Sequence, residues 1–246
     1  MLRILLIYLF SFNLYAEEVV TILASDSIPP YVMTKENGQG DLPGLQVELV
    51  DAALNEFSIK TNWKFMTNNR IVVEYNKKIE YAALNISFMS QSDNVFESDP
   101  VIYYKNCVIG RSSLKATWFK ELKSLKILGH QRAKNIYASV FGDYDFDNKN
   151  YNEVTNQKTL AYHAVSYRTD LVLSDALVLS YYANKHFGPQ FKNADLICLK
   201  EIKSPRSLGF KSAKLRDQFN QGLKLIKSKG LYKKILDKYS NQFSSL

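Results

Sequence analysis

The pattern that most constrains this chain is an alternation of short apolar runs with amphipathic stretches, which runs to about residue 105 and then starts again. Residues 19–24 read as a strand, closed by Ser25-Asp26-Ser27 and the Pro29-Pro30 pair. Leu45, Leu49, Ala53 and Phe57 recur every four residues, with Glu48, Asp51 and Asn55 on the other side, which predicts an amphipathic helix. Residues 63–66, 81–88 and 101–110 read as further strands. The second series gives a strand at 125–128, a helix at 157–165, a strand at 170–173 and a helix at 175–185. A last stripe, Leu215, Phe219, Leu223 and Ile226, is interrupted at Gly230 and continues through Leu231, Ile235, Leu236 and Tyr239. Such alternation implies parallel sheets with helices on both faces, and the restart implies two α/β lobes. A length of 246 residues suffices for two modest cores, and only 10 Gly and 6 Pro leave little room for a flexible linker.

The first residues read as a secretory signal. Met1-Leu2-Arg3 supplies one charge, residues 4–15 are almost wholly apolar, and Ala16 precedes Glu17-Glu18. The run is shorter than a membrane span of about 20 residues. No Cys follows it, which argues against a lipid anchor. The expectation is therefore cleavage after residue 16 and an exported protein beginning at Glu17.

The formal charge is +8, and residues 200–246 carry 12 basic against 3 acidic residues. Lys dominates there, without the planar fork that grips phosphate, so the stretch reads as a solvated helix face and no nucleic acid is expected as a partner. Cys107 and Cys198 lie in short apolar runs. An oxidising compartment permits a bridge, but the apolar setting favours two buried free thiols. Two Cys and three scattered His (His130, His163, His186) make no metal set, and no cofactor motif is present. Asp143, Asp145 and Asp147 begin like a calcium loop, but Asn148 stands where its turn needs Gly, so a solvated acidic loop is the reading.

A series of landmarks carries a family resemblance. Ser25-Asp26-Ser27-Ile28-Pro29-Pro30-Tyr31 follows the first strand, then Asn37-Gly38, then Gly44-Leu45-Gln46-Val47-Glu48-Leu49 opens a helix. Phe96-Glu97-Ser98-Asp99-Pro100 precedes the second series, a strand ends in Asp175, and Leu231-Tyr232-Lys233-Lys234-Ile235-Leu236 follows Gly230. In order and spacing this resembles the periplasmic solute-binding proteins of polar-amino-acid ABC importers. The resemblance implies a two-lobed α/β fold of the periplasmic-binding-protein type II, with two hinge strands and a cleft between the lobes. Lobe one would comprise residues 17–103 and 207–246, and lobe two residues 104–206. It further implies a monomer that binds a small polar ligand, partners a membrane permease, and has neither cofactor nor enzymatic activity. The same fold also admits a sensory or partner-binding module, or a periplasmic dehydratase-like enzyme with His130 as its acid or base.

The resemblance also nominates ligand-binding residues. Asp175 matches the Asp that meets the ligand's ammonium; standing before Ala176-Leu177-Val178, it is equally a helix N-cap. Asp26, or its neighbour Ser25, matches a ligand-contacting position, against an ordinary turn role. Tyr31 matches an aromatic at the pocket edge, against core packing. Asn85 and Ser87, either side of Ile86, would share one strand face where the family lines its cleft with small polar groups. One departure stands out. Family members that bind amino acids carry a carboxylate-clamping Arg before the Phe-Ser-x-Pro segment; here Gln91-Ser92 holds that place. Arg132 and Arg70 are the candidate replacements, Arg132 from a position where Ala133-Lys134 replaces the family's Gly-Thr. The ligand class is left open by this departure.

Overall fold

The computed structural model describes residues 18–25, 28–34, 42–86, 95–192 and 194–243; the expected signal segment lies outside them. Among the described residues two five-stranded sheets form. In the first, β1 (Val19–Ser25) lies parallel between β2 (Lys60–Met66) and β3 (Tyr81–Leu84). Antiparallel β10 (Leu208–Phe210) and β4 (Phe96–Glu97) complete it. In the second, β7 (Tyr151–Val154), β6 (Ile127–His130) and β8 (Leu171–Asp175) are parallel, and β5 (Ile102–Arg111) and β9 (Leu196–Arg206) are antiparallel additions. The sheets are thus mixed rather than wholly parallel. The βα repeats give the parallel members, and β5 and β9, which run between the sheets, join antiparallel.

The helices are α1 (Leu45–Asn55), α2 (Asn68–Tyr75), α3 (Ala133–Phe141), α4 (Gln157–Val165), α5 (Ala176–Phe187), α6 (Pro189–Lys192), α7 (Ala213–Ser228) and α8 (Leu231–Phe243). The C-terminal pair returns to the first sheet: Phe219, Leu223, Ile226 and Tyr239 join Ile22, Leu49, Leu54 and Phe210 in one buried core. Where α7 crosses α1, a Cβ on Gly222 would stand 2.0 Å from the Ala53 carbonyl oxygen, so only glycine permits that approach. The second sheet buries both faces. Cys107 and Ile109 face α4 and α5, whereas Val108 faces Tyr137 and Phe141 of α3, the period-2 alternation of a strand.

β5 and β9 run side by side from one lobe to the other. Ile102 and Tyr104 pack into the first core, and Cys107 and Ile109 into the second. The expectation of two free thiols fails here, because Cys107 and Cys198 form a disulfide with Cα atoms 5.4 Å apart. The cause is a bulge. Cys107 pairs with Glu201 and Val108 with Lys200, but Ile109 pairs with Cys198, so Leu199 is skipped. In an unbroken ladder Cys198 would sit opposite Gly110 and face the other way; the extra residue turns it onto the face of Cys107.

A second correction concerns the strand expected at 81–88. β3 ends at Leu84, and Asn85 takes a left-handed φ of 60°, which Asn tolerates better than most residues.

Candidate functional site

A cleft of about 470 Å³ opens between the two sheets. Ser25, Ile28 and Asn85 line it from the first lobe, and His130, Arg132 and Asp175 from the second. Asn106, Ser204 and Arg206 contribute from the crossing strands β5 and β9. The groups from the two lobes sit at strand ends, in the turns after them and at helix starts, where side chains leave the packed layers.

Asp175 is the last residue of β8 and the N-cap of α5. Its Oδ1 accepts from the backbone N–H of Leu177 at 2.9 Å and of Val178 at 3.0 Å. Oδ2 accepts from the Tyr31 hydroxyl at 3.2 Å, and the Lys105 backbone N–H donates to the same carboxylate. Burial pushes its pKa up to about 6, against the pull of those four donors. Of the two roles weighed for this residue, capping is directly visible.

Tyr31 lies one layer behind the cleft wall. It is buried and stacks on Tyr104, with ring centroids 3.9 Å apart and planes 17° apart. On Tyr104 the Arg206 guanidinium lies 4.4 Å from the ring centroid, within cation–π range. The Tyr104 hydroxyl donates to Gln46 Oε1 at 2.5 Å. Asn85 Nδ2 donates to the Tyr104 hydroxyl at 3.2 Å and to Gln46 Oε1 at 3.3 Å, and Gln46 Nε2 donates to Asn85 Oδ1 at 3.0 Å. The fully buried Gln46 thus has both ends of its amide engaged, as a polar side chain at that depth requires.

His130 closes the other side. Its Nδ1 lies 2.9 Å from the Gln131 carbonyl oxygen; because a carbonyl only accepts, Nδ1 carries the proton and Nε2 is the acceptor of the neutral ring. Burial lowers its pKa, the Gln131 bond opposes this, and the Arg206 charge adds to the lowering. Next along, Arg132 takes a φ of 67° at the N-cap of α3. Glu153 of β7 reaches over this helix start: Oε2 accepts from the Arg132 N–H at 2.7 Å and Oε1 from the Lys134 N–H at 3.0 Å. The Tyr151 hydroxyl donates to Oε1 at 2.6 Å. Burial alone would raise the Glu153 pKa; the Tyr151 hydroxyl and the two backbone donors outweigh it and hold the carboxyl below its ordinary range.

Of the residues nominated from sequence, Asn85, Arg132 and Asp175 line the cleft and Tyr31 supports it from behind. Asp26, Ser87 and Gln91 lie outside the described residues. Arg70 is on α2, exposed, with Glu74 at 4.0 Å, and does not line the cleft. Sequence reasoning missed Gln46, Glu153, Asn106, Ser204 and Arg206. Gln46 carried a signal, an amide among the apolar residues that open α1. Arg206 carried none beyond the basic composition of the C-terminal stretch.

Two α/β lobes, two strands crossing between them and a polar cleft walled by both lobes define a two-lobed binding protein. Residues 20–242 match the family of bacterial extracellular solute-binding proteins, family 3, and the chain belongs to that family. Its fold is the periplasmic-binding-protein type II. A curated relative, the arginine-binding periplasmic protein of Mannheimia haemolytica, is 24% identical over 97% of this chain and 98% of its own. Among solved structures, the arginine-, lysine-, histidine-binding protein of Geobacillus stearothermophilus superposes with a TM-score of 0.68 at 15% identity, covering 93% of this chain and 98% of that one. A histidine kinase sensor domain superposes with a TM-score of 0.69 at 14% identity, over 91% and 96%.

Proposed function

We propose that this protein captures a small polar solute in the interlobe cleft, in the periplasm, and delivers it to the permease of an ABC importer. The observation that carries the reading is the cleft itself. About 470 Å³ suits a solute of amino-acid size, and polar groups enter it from both lobes and from the strands between. Residues 17–103 with 207–246 would move against 104–206 by bending at β5 and β9, in a monomer whose apolar leader is removed on export. His130 argues for capture rather than turnover, since burial holds its ring neutral and its Nδ1–H is engaged, so it offers the cleft an acceptor and no proton.

A second reading has one observation in its favour, the likeness to a histidine kinase sensor domain. Capture is tested by a thermal-shift screen of the purified protein against amino acids, amines, organic acids, sugars and short peptides. A ligand present at 100 times its dissociation constant adds about 2.7 kcal/mol, a readily measured rise. Silence across the panel from a folded protein would sink the capture reading. Uptake of the solute then separates the two: loss of accumulation in a deletion strain supports import, whereas unchanged uptake with a lost transcriptional response supports sensing.

A further inference from the structure

We infer that His130 decides which solutes the cleft accepts: the solute presents an N–H or O–H to Nε2 of this ring, as an amide, a hydroxyl or an amine does. The inference rests on the solute-capture reading above and names the chemistry of its ligand.

His130 ends β6 and lines the cleft, to which part of its surface stays open. The ring is fixed at two points. Nδ1–H donates to the Gln131 carbonyl oxygen at 2.9 Å, and the ring packs edge-on against Tyr137, with centroids 6.4 Å apart and planes 61° apart. Tyr137 is itself buried, its hydroxyl held by the Cys107 and Ser174 carbonyl oxygens at 3.0 and 3.2 Å. The imidazole cannot turn over without breaking the Nδ1 bond, so Nε2 stays the acceptor. Among the described residues no hydrogen bond reaches Nε2.

The other uncharged polar side chains on this wall discriminate less. Gln131, Asn135 and Gln157 carry amides and Thr155 a hydroxyl, each of which gives or takes a hydrogen bond by turning. Asp175 accepts, but its oxygens already take two N–H groups of α5, the Lys105 N–H and the Tyr31 hydroxyl. A solute donor thus meets in His130 an acceptor already in place, with little freedom left to lose on binding. A solute oxygen without a proton would set lone pair against lone pair, and a site built to take a donor rejects an analogue that lacks one.

Acid removes the acceptor. Once Nε2 takes a proton it donates, and the solute's own donor is turned away. Burial lowers the ring's pKa from 6.5; the Gln131 bond and the Glu153 charge on β7 oppose this, and the Arg206 charge on β9 adds to it. Tyr137 of α3, Arg132 at its start and Asp175 at the end of β8 complete the titratable and charged surroundings, and α4 faces the cleft with the uncharged Gln157. Binding is therefore level above pH 7 and falls in acid.

The test is titration calorimetry on the purified protein, with every hit of the panel above and with two sets of probes. L-glutamine, L-serine, L-arginine, putrescine and D-ribose carry donors; succinate and sulfate carry none in mild alkali. The expected result is that a donor-bearing probe binds most tightly. His130→Leu should weaken that probe by roughly 10-fold, the loss of one hydrogen bond with its donor left dry. His130→Gln keeps an acceptor near the place of Nε2 and should bind nearly as the native protein does. As pH is lowered below 6.5 the native affinity should fall, and His130→Gln should not share that fall; Asp175 titrates in both proteins and cancels in the comparison. Folding is checked by circular dichroism, and the pH comparison with His130→Gln decides alone if His130→Leu does not fold. Three results overturn the inference and leave solute capture standing: a probe without donors that binds more tightly than every other, a folded His130→Leu that binds as the native protein does, or native and His130→Gln affinities that fall in parallel. Silence from every probe and from the wider panel overturns capture, and this inference with it.

Discussion

The Tyr31 hydroxyl donates to the Asp175 carboxylate at 3.2 Å, a buried hydrogen bond between residues 144 positions apart. It ties the turn after β1 in the first lobe to the start of α5 in the second. Leu177 and Val178, which follow Asp175, accompany it: Val178 is buried in the first lobe's core and Leu177 packs against it. The interlobe contact therefore has a polar bond at its centre and apolar packing around it.

The pH dependence of that bond follows from its burial. Asp175 has a folded pKa of about 6 against an ordinary 3.8, so the folded state holds its proton more tightly than the unfolded chain. Its contribution is fully present below about pH 4 and is lost as pH rises toward 6, at a cost of about 3 kcal/mol by neutral pH. Asp175→Asn does not titrate. Its stability relative to the native protein should rise by about that amount between pH 4 and 6 and stay level above. Asp175→Ala should instead lose about 2–4 kcal/mol at pH 7, because three backbone N–H groups and the Tyr31 hydroxyl lose their acceptor. Urea denaturation across this pH range measures both, and a flat Asp175→Asn difference would show that the carboxyl is not buried in solution.

The Cys107–Cys198 bridge spans 91 positions, a loop that contains β6, β7 and β8 with α3, α4 and α5. A cross-link of that length restricts the unfolded chain strongly, and removing it typically costs 2–5 kcal/mol. The Cys107→Ala, Cys198→Ala double variant should unfold at clearly lower urea than the oxidised protein, and the reduced native protein should unfold alongside the variant. Free-thiol titration of the unfolded, unreduced protein should give none. Two reactive thiols would show that the bridge does not form.

The sequence made the repeating elements legible and the departures from repetition illegible. The helix expected at 157–165 is observed as Gln157–Val165, because an apolar stripe of period 3.6 reports the buried face of a helix directly. Short α3 went unread: it has nine residues, of which only Ala133, Tyr137 and Phe141 are buried, and it starts from a left-handed Arg132. The disulfide was hidden by a bulge, a property of two paired strands that neither strand's sequence records. Asn85, Arg132 and Asp175 were legible as cleft residues through family resemblance, each standing at the end of an element. Arg206 was not, because β9 is polar along half its length, and among many basic residues in the C-terminal stretch only the strand register shows which one meets Tyr104.

Glu153 sets stability and binding against each other. Its carboxylate caps α3 through the Arg132 and Lys134 N–H groups, so Glu153→Ala should cost about 1 kcal/mol, the usual worth of a helix cap. Glu153→Gln keeps an acceptor and should cost less. The sign with pH is opposite to that of Asp175. Glu153 is held below its ordinary pKa of 4.5, so its stabilisation is present above that pH and is lost as pH falls through the folded value. The gap between native protein and Glu153→Gln should therefore close in acid. Binding should move the other way. Gln131, Arg132 and Asn135 place the start of α3 on the cleft, so removing the carboxylate frees its N–H groups for a solute anion. Glu153→Ala should bind an anionic probe such as inorganic phosphate more tightly than the native protein while unfolding at lower urea. Calorimetry and denaturation on the same preparation check both. If stability and anion affinity fall together, Glu153 only holds the fold, and the helix start takes no part in choosing the ligand.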